Sequence, residues 1–128
     1  MKKLLLLLAV ATVGFTACKK DEETTPSKTD LIAKTWKAVD VKINGISFPL
    51  ALFGNPIFTV SKSGTYTEIS FGDTTTGTWA FYSNETKFIL DSGTPDADTL
   101  TIVNLTASEF KLSGDVDGDV AEVTYNPN

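Results

Sequence analysis

The residues that could carry chemistry are mostly carboxylates, and they lie in short segments typical of turns. The sequence contains 16 Asp and Glu residues, no histidine and one cysteine, Cys18. Serine and cysteine triads need a base, and zinc sites usually need histidine or several thiolates. Paired carboxylates could hydrolyse a glycoside, but acidic side chains in turns are better explained by solvation. The composition therefore predicts a protein that is not an enzyme and that needs no cofactor.

One acidic turn resembles part of a calcium loop. Asp115, Asp117 and Asp119 alternate along it. An EF-hand loop has its glycine one position later and adds a distal glutamate, and this segment is too short for that pattern. Asp117–Gly118 is also a dipeptide favoured in tight hairpin turns. A turn is the preferred interpretation, and a calcium site at these three carboxylates is the alternative.

The N-terminal segment predicts export and lipidation. Lys2 and Lys3 precede Leu4–Val13, an apolar run shorter than the roughly 20 residues that span a bilayer. Such a segment, followed by small residues, is typical of a secretory signal peptide. The site before Cys18 resembles the cleavage site of bacterial lipoproteins, although Phe15 stands where leucine is usual. An ordinary signal peptide with an incidental cysteine is the alternative.

These features divide the chain into a signal peptide (1–17), a lipidated flexible tether (18–29) and a folded domain (30–128). The charged segment 19–23 resembles the export signal of surface lipoproteins in Bacteroidetes, and a generic solvated spacer is the alternative. The resemblance implies an outer membrane lipoprotein exposed on the cell surface. Its membrane contact would be acyl chains, such as palmitate, on Cys18.

The charge of the mature chain argues against two classes of partner. Without the signal peptide, nine lysines face 16 acidic residues, which is a net charge of −7, and the sequence contains no arginine. Such a domain is poorly suited to bind nucleic acid or anionic headgroups. Thr74 and Thr99 lie in segments that resemble O-glycosylation sites of Bacteroidetes, although chance matches are common in a sequence rich in Thr and Asp.

From Asp30 onward the pattern predicts an all-β domain of eight short strands separated by turns. The predicted strands are Trp36–Ile43, Ile57–Lys62, Thr65–Phe71, Gly77–Tyr82, Lys87–Leu90, Thr99–Leu105, Glu109–Ser113 and Val120–Tyr125. Short turns favour an antiparallel up-and-down sheet, and closure into a barrel removes its edges. A two-sheet β-sandwich is the alternative.

Alternation along these strands assigns side chains to two faces. The predicted inward pairs are Ile69 and Phe71, Trp79 and Phe81, Phe88 and Leu90, and Phe110 and Leu112. The predicted outward residues are Glu68, Thr78, Lys87 and Lys111. Phe71, Trp79, Phe81 and Phe88 are therefore candidates for the core or for the lining of a cavity. Core packing is preferred, because an eight-stranded barrel is only just wide enough for its side chains or one small ligand.

Four segments, in order, resemble the lipocalin-like domains of Bacteroidetes lipoproteins. They are "DLIAKTWKAVDVKING", "SKSGTYTEISF", "GTWAFYSNETKFIL" and "IVNLTASEFKL". Such domains have a helical turn before a tryptophan-bearing first strand, and later hairpins of these types. The resemblance implies a small lipocalin-like barrel. Lys34 replaces the glycine that usually precedes the tryptophan by two residues.

The apolar segment 45–56 is unusual because it falls where a loop is expected. In an up-and-down barrel it shares one end with the acidic connections, while the short turns and both termini share the other. Phe48, Leu50, Leu52 and Phe53 are therefore candidates to bind a ligand or partner, and a cap packed on the core is the alternative.

Two functions remain open from the sequence. The domain binds a small apolar or amphipathic ligand at this end, or it is a filled protein-interaction or inhibitor module that presents the same loops to a partner protein. A cavity that opens beside residues 45–54 would distinguish them.

Overall fold

The computed structural model describes residues 26–128. The predicted signal peptide, Cys18 and most of the predicted tether lie outside the described residues. A short helix, α1 (Lys28–Ile32), precedes the first strand, and a 3-10 helix (Leu50–Phe53) precedes the third. The strands are β1 (Thr35–Ile43), β2 (Ile46–Phe48), β3 (Ile57–Val60), β4 (Thr65–Ser70), β5 (Asp73–Tyr82), β6 (Lys87–Leu90), β7 (Asp98–Leu105), β8 (Phe110–Val116) and β9 (Asp119–Pro127).

The sheet closes into a barrel. Neighbouring strands pair in antiparallel fashion in the order β2-β1-β3-β4-β5-β6-β7-β8-β9, and β1 also pairs with β9. Eight strands therefore form a closed ring, to which β2 is added as a ninth. All eight predicted strands are present, and the predicted up-and-down barrel is confirmed. The alternative of a two-sheet sandwich is wrong, because β1 pairs with both β3 and β9 and so closes the ring.

Three hairpins turn through two residues that both have positive φ. The central residues are Asn44–Gly45, Phe71–Gly72 and Asp117–Gly118. Positive φ at both positions matches the type I′ turn, whose twist suits a β-hairpin. The first turn folds Ile46–Phe48 back onto β1 as β2, so part of the expected loop is a strand. The second shortens the expected loop after β4 to two residues.

The half of the barrel nearest α1, here called the lower half, is filled with aromatic rings. Trp36, Phe88 and Phe110 are fully buried. Phe88 stacks on Trp79 with ring centroids 5.6 Å apart, and it meets Phe110 edge-on at 5.7 Å. Such pairs contribute beyond their buried area. The predicted inward positions of Trp79, Phe88 and Phe110 are correct, and Phe81 packs against the same core.

Helix α1 covers this end of the barrel, here called the closed end. Its first turn is held by a capping box between Ser27 and Asp30. Ile32 is fully buried, and its carbonyl oxygen accepts a 2.9 Å hydrogen bond from Trp36 Nε1. The backbone N–H of Asn128 donates to Thr35 O, so both ends of the barrel domain lie at the closed end.

The predicted faces of β4 are wrong. Tyr66 is opposite Val60 and Glu68 is opposite Phe58, and the partners Val60 and Phe58 are buried. Opposite residues share a face, so Tyr66 and Glu68 point into the barrel. Ile69 is therefore on the outer face, because a strand has a period of two and one shift in register reverses every side chain.

Candidate functional site

The upper half of the barrel contains a cavity of about 450 Å³, here called the mouth cavity. Its volume is in the range of small-molecule sites, about 300–1,000 Å³. It opens beside the 3-10 helix, at the end of the barrel opposite α1. Most of its lining is apolar: Val41, Ile43, Leu52, Phe53, Pro56, Phe71, Val116, Ala121 and Val123 line it together with Glu68, Ser70 and Tyr125.

A second cavity of about 160 Å³ shares one wall with the mouth cavity. The shared wall consists of inward residues of β8 and β9: Val116, Ala121, Val123 and Tyr125. The opposite wall includes Leu100 and Gly114. A Cβ atom at Gly114 would lie 2.6 Å from Leu100 Cδ2, so a larger residue there would displace the end of the Leu100 side chain.

Tyr125 forms the boundary between the cavity and the filled core. Its ring is buried and stacks on Phe110 with centroids 5.9 Å apart, and Phe58 lies 6.1 Å away on another side. Burial, with a smaller contribution from the charge of Glu68, raises the pKa of the Tyr125 phenol above its usual value of 10. The phenol is therefore neutral at physiological pH.

Glu68 is the one charged side chain among the described residues that line the mouth cavity. Burial raises the pKa of its carboxyl above the usual value of 4.5. Within residues 26–128, no hydrogen bond or salt bridge to its carboxylate is formed. The sequence pattern placed this side chain outside, so the position of Glu68 is the main feature of the site that sequence reasoning missed. The apolar Val60 across from Tyr66 was the available signal.

The rim of the mouth cavity joins the 3-10 helix to the turn after β4. Ser70 Oγ donates a 2.8 Å hydrogen bond to Phe53 O, and the Phe71 N–H donates to Gly54 O at 3.2 Å. Gly54 has a φ of 74°, and a Cβ atom there would clash with the backbone nitrogen of Phe71. Glycine at this position therefore allows the two segments to touch.

The predicted binding residues of segment 45–56 have different positions. Leu52, which is 62% exposed, and Phe53, which is half-buried, both line the mouth cavity. Leu50 packs against the core instead. Phe48 is on β2, 39% exposed, and does not line the cavity. The segment is thus part cap and part rim.

The four aromatic candidates also separate. Trp79 and Phe88 belong to the buried core, and Phe81 packs against it. Phe71 is 69% exposed and lies in a turn. Its expected place in the core is wrong, but it does line the rim of the mouth cavity. The physical reason is the inverted face of β4, at whose end Phe71 stands.

The acidic turn after β8 has the geometry of a tight hairpin. Asp117 and Gly118 have φ values of 52° and 88°. Asp119 Oδ1 accepts a 2.9 Å hydrogen bond from Asn44 Nδ2, and Asp115 lines the smaller cavity. Among residues 26–128 there is no group of three or more acidic, His or Cys side chains placed to hold a metal ion.

Over the described range, no helix has the length and apolar character needed to cross a membrane.

A closed antiparallel barrel that is covered by a helix at one end and hollow at the other defines the class of small barrel proteins built around an internal cavity. Residues 32–112 match the family model of the lipocalin-like domain. This chain therefore belongs to the lipocalin-like domain family.

A solved structure has a similar fold. It is the crystal structure of a lipocalin-like protein from Bacteroides uniformis ATCC 8492, which is 15% identical in sequence. The match has a TM-score of 0.56 and covers 76% of this chain and 98% of that one. No curated protein matches the sequence significantly.

Proposed function

We propose that this protein is a cell-surface lipoprotein whose barrel binds a small apolar or amphipathic molecule in the mouth cavity. The observation that carries the proposal is the apolar cavity of about 450 Å³ beside Leu52 and Phe53. Apolar surface in such a cavity favours an apolar ligand, because transfer from water is favourable by roughly 25 cal/mol per Å² buried. Membership of the lipocalin-like family supports a binding role in general.

The rival function, a protein-interaction or inhibitor module, requires a filled core. The lower half of the barrel meets that requirement, but the half beside segment 45–54 does not. Ligand binding is therefore the better explanation of this end of the barrel.

The proposal is tested by filling the cavity. Ala121 points inward from β9 and lines both cavities, so Ala121→Phe would occupy their volume. Thr124→Phe is the matched control, because alternation places it on the outer face of the same strand. The chain from Lys19 onward contains every described helix and strand of the barrel, so it is used for both variants.

The measurement is fluorescence titration with N-phenyl-1-naphthylamine, a neutral apolar dye whose emission rises in an apolar site. The unmodified barrel and Thr124→Phe should bind the dye with similar affinity. Ala121→Phe should bind it at least tenfold more weakly. Failure of the unmodified barrel to bind the dye, or equal binding by Ala121→Phe, would contradict the proposed function.

A further inference from the structure

The described lining of the mouth cavity contains few polar groups, and the one charge among them is negative. Glu68 is its charged lining residue, and no lysine of the described chain lines it. The Ser70 hydroxyl already donates to Phe53 O, and the Tyr125 phenol is neutral. The smaller cavity adds two more carboxylates, Asp98 and Asp115, and again no lysine.

Glu68 is placed unfavourably for the fold alone. Glu68 is half-buried, so its carboxylate loses part of its hydration against the apolar walls of the mouth cavity. Glu68 has neither a hydrogen-bond nor a salt-bridge partner for its carboxylate within the described residues, and three apolar side chains share its cavity on the facing strands: Val41, Ile43 and Val123. A group that the fold does not use is available to a ligand.

Extending the proposed function, on which this inference rests, we infer that the mouth cavity selects cationic amphiphiles, in which a protonated amine pairs with the Glu68 carboxylate and an apolar tail contacts Val41, Ile43 and Val123. Such a ligand supplies the missing partner of the carboxylate and fills the apolar volume at once. An anionic head would bring a like charge next to the Glu68 carboxylate. A neutral head would leave the carboxylate without a counter-charge.

A divalent metal ion is a poorer occupant than an amine. Calcium takes six to eight oxygen ligands, whereas Glu68 is a single carboxylate among apolar side chains. The described residues place no second acidic side chain in the lining of the mouth cavity. One carboxylate in an apolar site matches one ammonium group with a hydrocarbon tail.

The distribution of surface charge supports the same class of ligand. Acidic side chains flank the turns around the mouth: Asp73, Asp117 and Asp119. Three lysines instead contact the turns and helix of the closed end: Lys28, Lys34 and Lys62. Lys42 lies on the outer face of β1, 3.9 Å from Asp40. A negative mouth attracts cations and raises their rate of association at low salt.

The experiment uses three ten-carbon probes that share one tail: decylamine, which is protonated at pH 7, decanol and decanoate. Each displaces N-phenyl-1-naphthylamine from the chain beginning at Lys19. Charge-assisted hydrogen bonds are the strong ones, so decylamine should bind about tenfold or more tightly than decanol, and decanoate most weakly. Glu68→Gln should remove the preference for decylamine while decanol still binds.

The control variant is Glu122→Gln, which makes the same chemical change on the outer face of β9, 3.9 Å from Lys111. It should keep the preference for decylamine. Decanol binding that is at least as tight as in the unmodified protein shows that each variant keeps an intact cavity. Equal binding of the three probes, or a preference that survives Glu68→Gln, overturns the inference while the proposed function stands. Absence of binding by the dye and all probes overturns both.

Discussion

At the scale of single residues, Tyr66 and Glu68 point into the barrel from the same strand but differ in role. Tyr66 is bonded within the fold, whereas Glu68 lines the mouth cavity. The aromatic residues below it are packed against one another, and the Tyr66 hydroxyl donates a 3.0 Å hydrogen bond to Asp91 Oδ2. Burial and this carboxylate raise the pKa of Tyr66 to about 12. Glu68 lies two residues along the same face and has no comparable partner in the described chain.

This contrast predicts a stability effect of Glu68→Gln. Because burial raises the pKa of Glu68 in the folded state above the unfolded value of 4.5, the folded state holds more protons than the unfolded state between these two pKa values. The stability of the unmodified protein therefore falls as the pH rises from 4.5 to the raised pKa. Tyr125, which lines the same cavity as Glu68, stays neutral and does not contribute to this dependence of stability on pH. Asp98 and Asp115 line the smaller, neighbouring cavity.

Glu68→Gln removes the penalty and should unfold at a higher urea concentration than the unmodified protein at pH 7. At pH 4 the carboxyl is mostly protonated in both states, and the difference should disappear. Urea midpoints at the two pH values measure the effect. A lower midpoint for Glu68→Gln at pH 7 would show that the carboxylate supports the fold.

At the scale of elements, segment 45–56 contains a strand and a 3-10 helix within twelve residues, and part of it forms the rim of the mouth cavity. Pro49 separates β2 from the 3-10 helix, and Gly54 ends that helix in the left-handed conformation, with a φ of 74°. Leu50 packs against the core and Leu52 faces the cavity mouth. The two leucines therefore belong to different parts of the molecule although only one residue separates them.

Single substitutions should separate these two roles. Leu50→Ser should lower the free energy of unfolding by about 1–2 kcal/mol, since full burial of a leucine contributes about 1.5–3 kcal/mol and Leu50 is half-buried. Leu52→Ser should change it by less than about 0.5 kcal/mol but weaken the binding of N-phenyl-1-naphthylamine. Urea denaturation and dye titration on both variants give the comparison. A large loss of stability in Leu52→Ser would mean that the rim is part of the core.

The strands show how far sequence patterns determine this fold. All eight were predictable because β-branched and aromatic residues alternate between clear turn dipeptides such as Asp117–Gly118. The face of β4 was not, because both of its faces carry a large apolar residue, Tyr66 on one and Ile69 on the other. The pairing of Tyr66 with the buried Val60 shows which face of β4 points inward. That pairing depends on the register with a neighbouring strand, which the sequence of β4 alone does not contain. The cavity depends on that decision, so the site was less predictable than the fold.

At the scale of the whole molecule, an even number of strands in the ring brings both ends of the barrel domain to the closed end. Lys34 completes that end, since its ammonium lies 5.0 Å from the centroid of the Trp36 ring and donates to Ala107 O. The lysine that replaces the usual glycine thus covers the tryptophan and ties the first strand to the turn after β7. The mouth cavity is at the opposite end, so a membrane anchor that precedes α1 would leave the cavity facing outward.

The anchoring proposal depends on Cys18, the one cysteine of the chain. A single acyl chain binds a membrane only marginally, so stable attachment takes more than one chain. Cys18→Ser removes the acceptor, so the full-length variant should lose incorporation of labelled palmitate and leave the membrane fraction. Phe15→Leu, which restores the residue usual in lipoprotein cleavage sites, is the control and should keep both properties. Membrane retention of the unmodified chain without any palmitate label would show that Cys18 is not an anchor and that attachment, if any, has another cause.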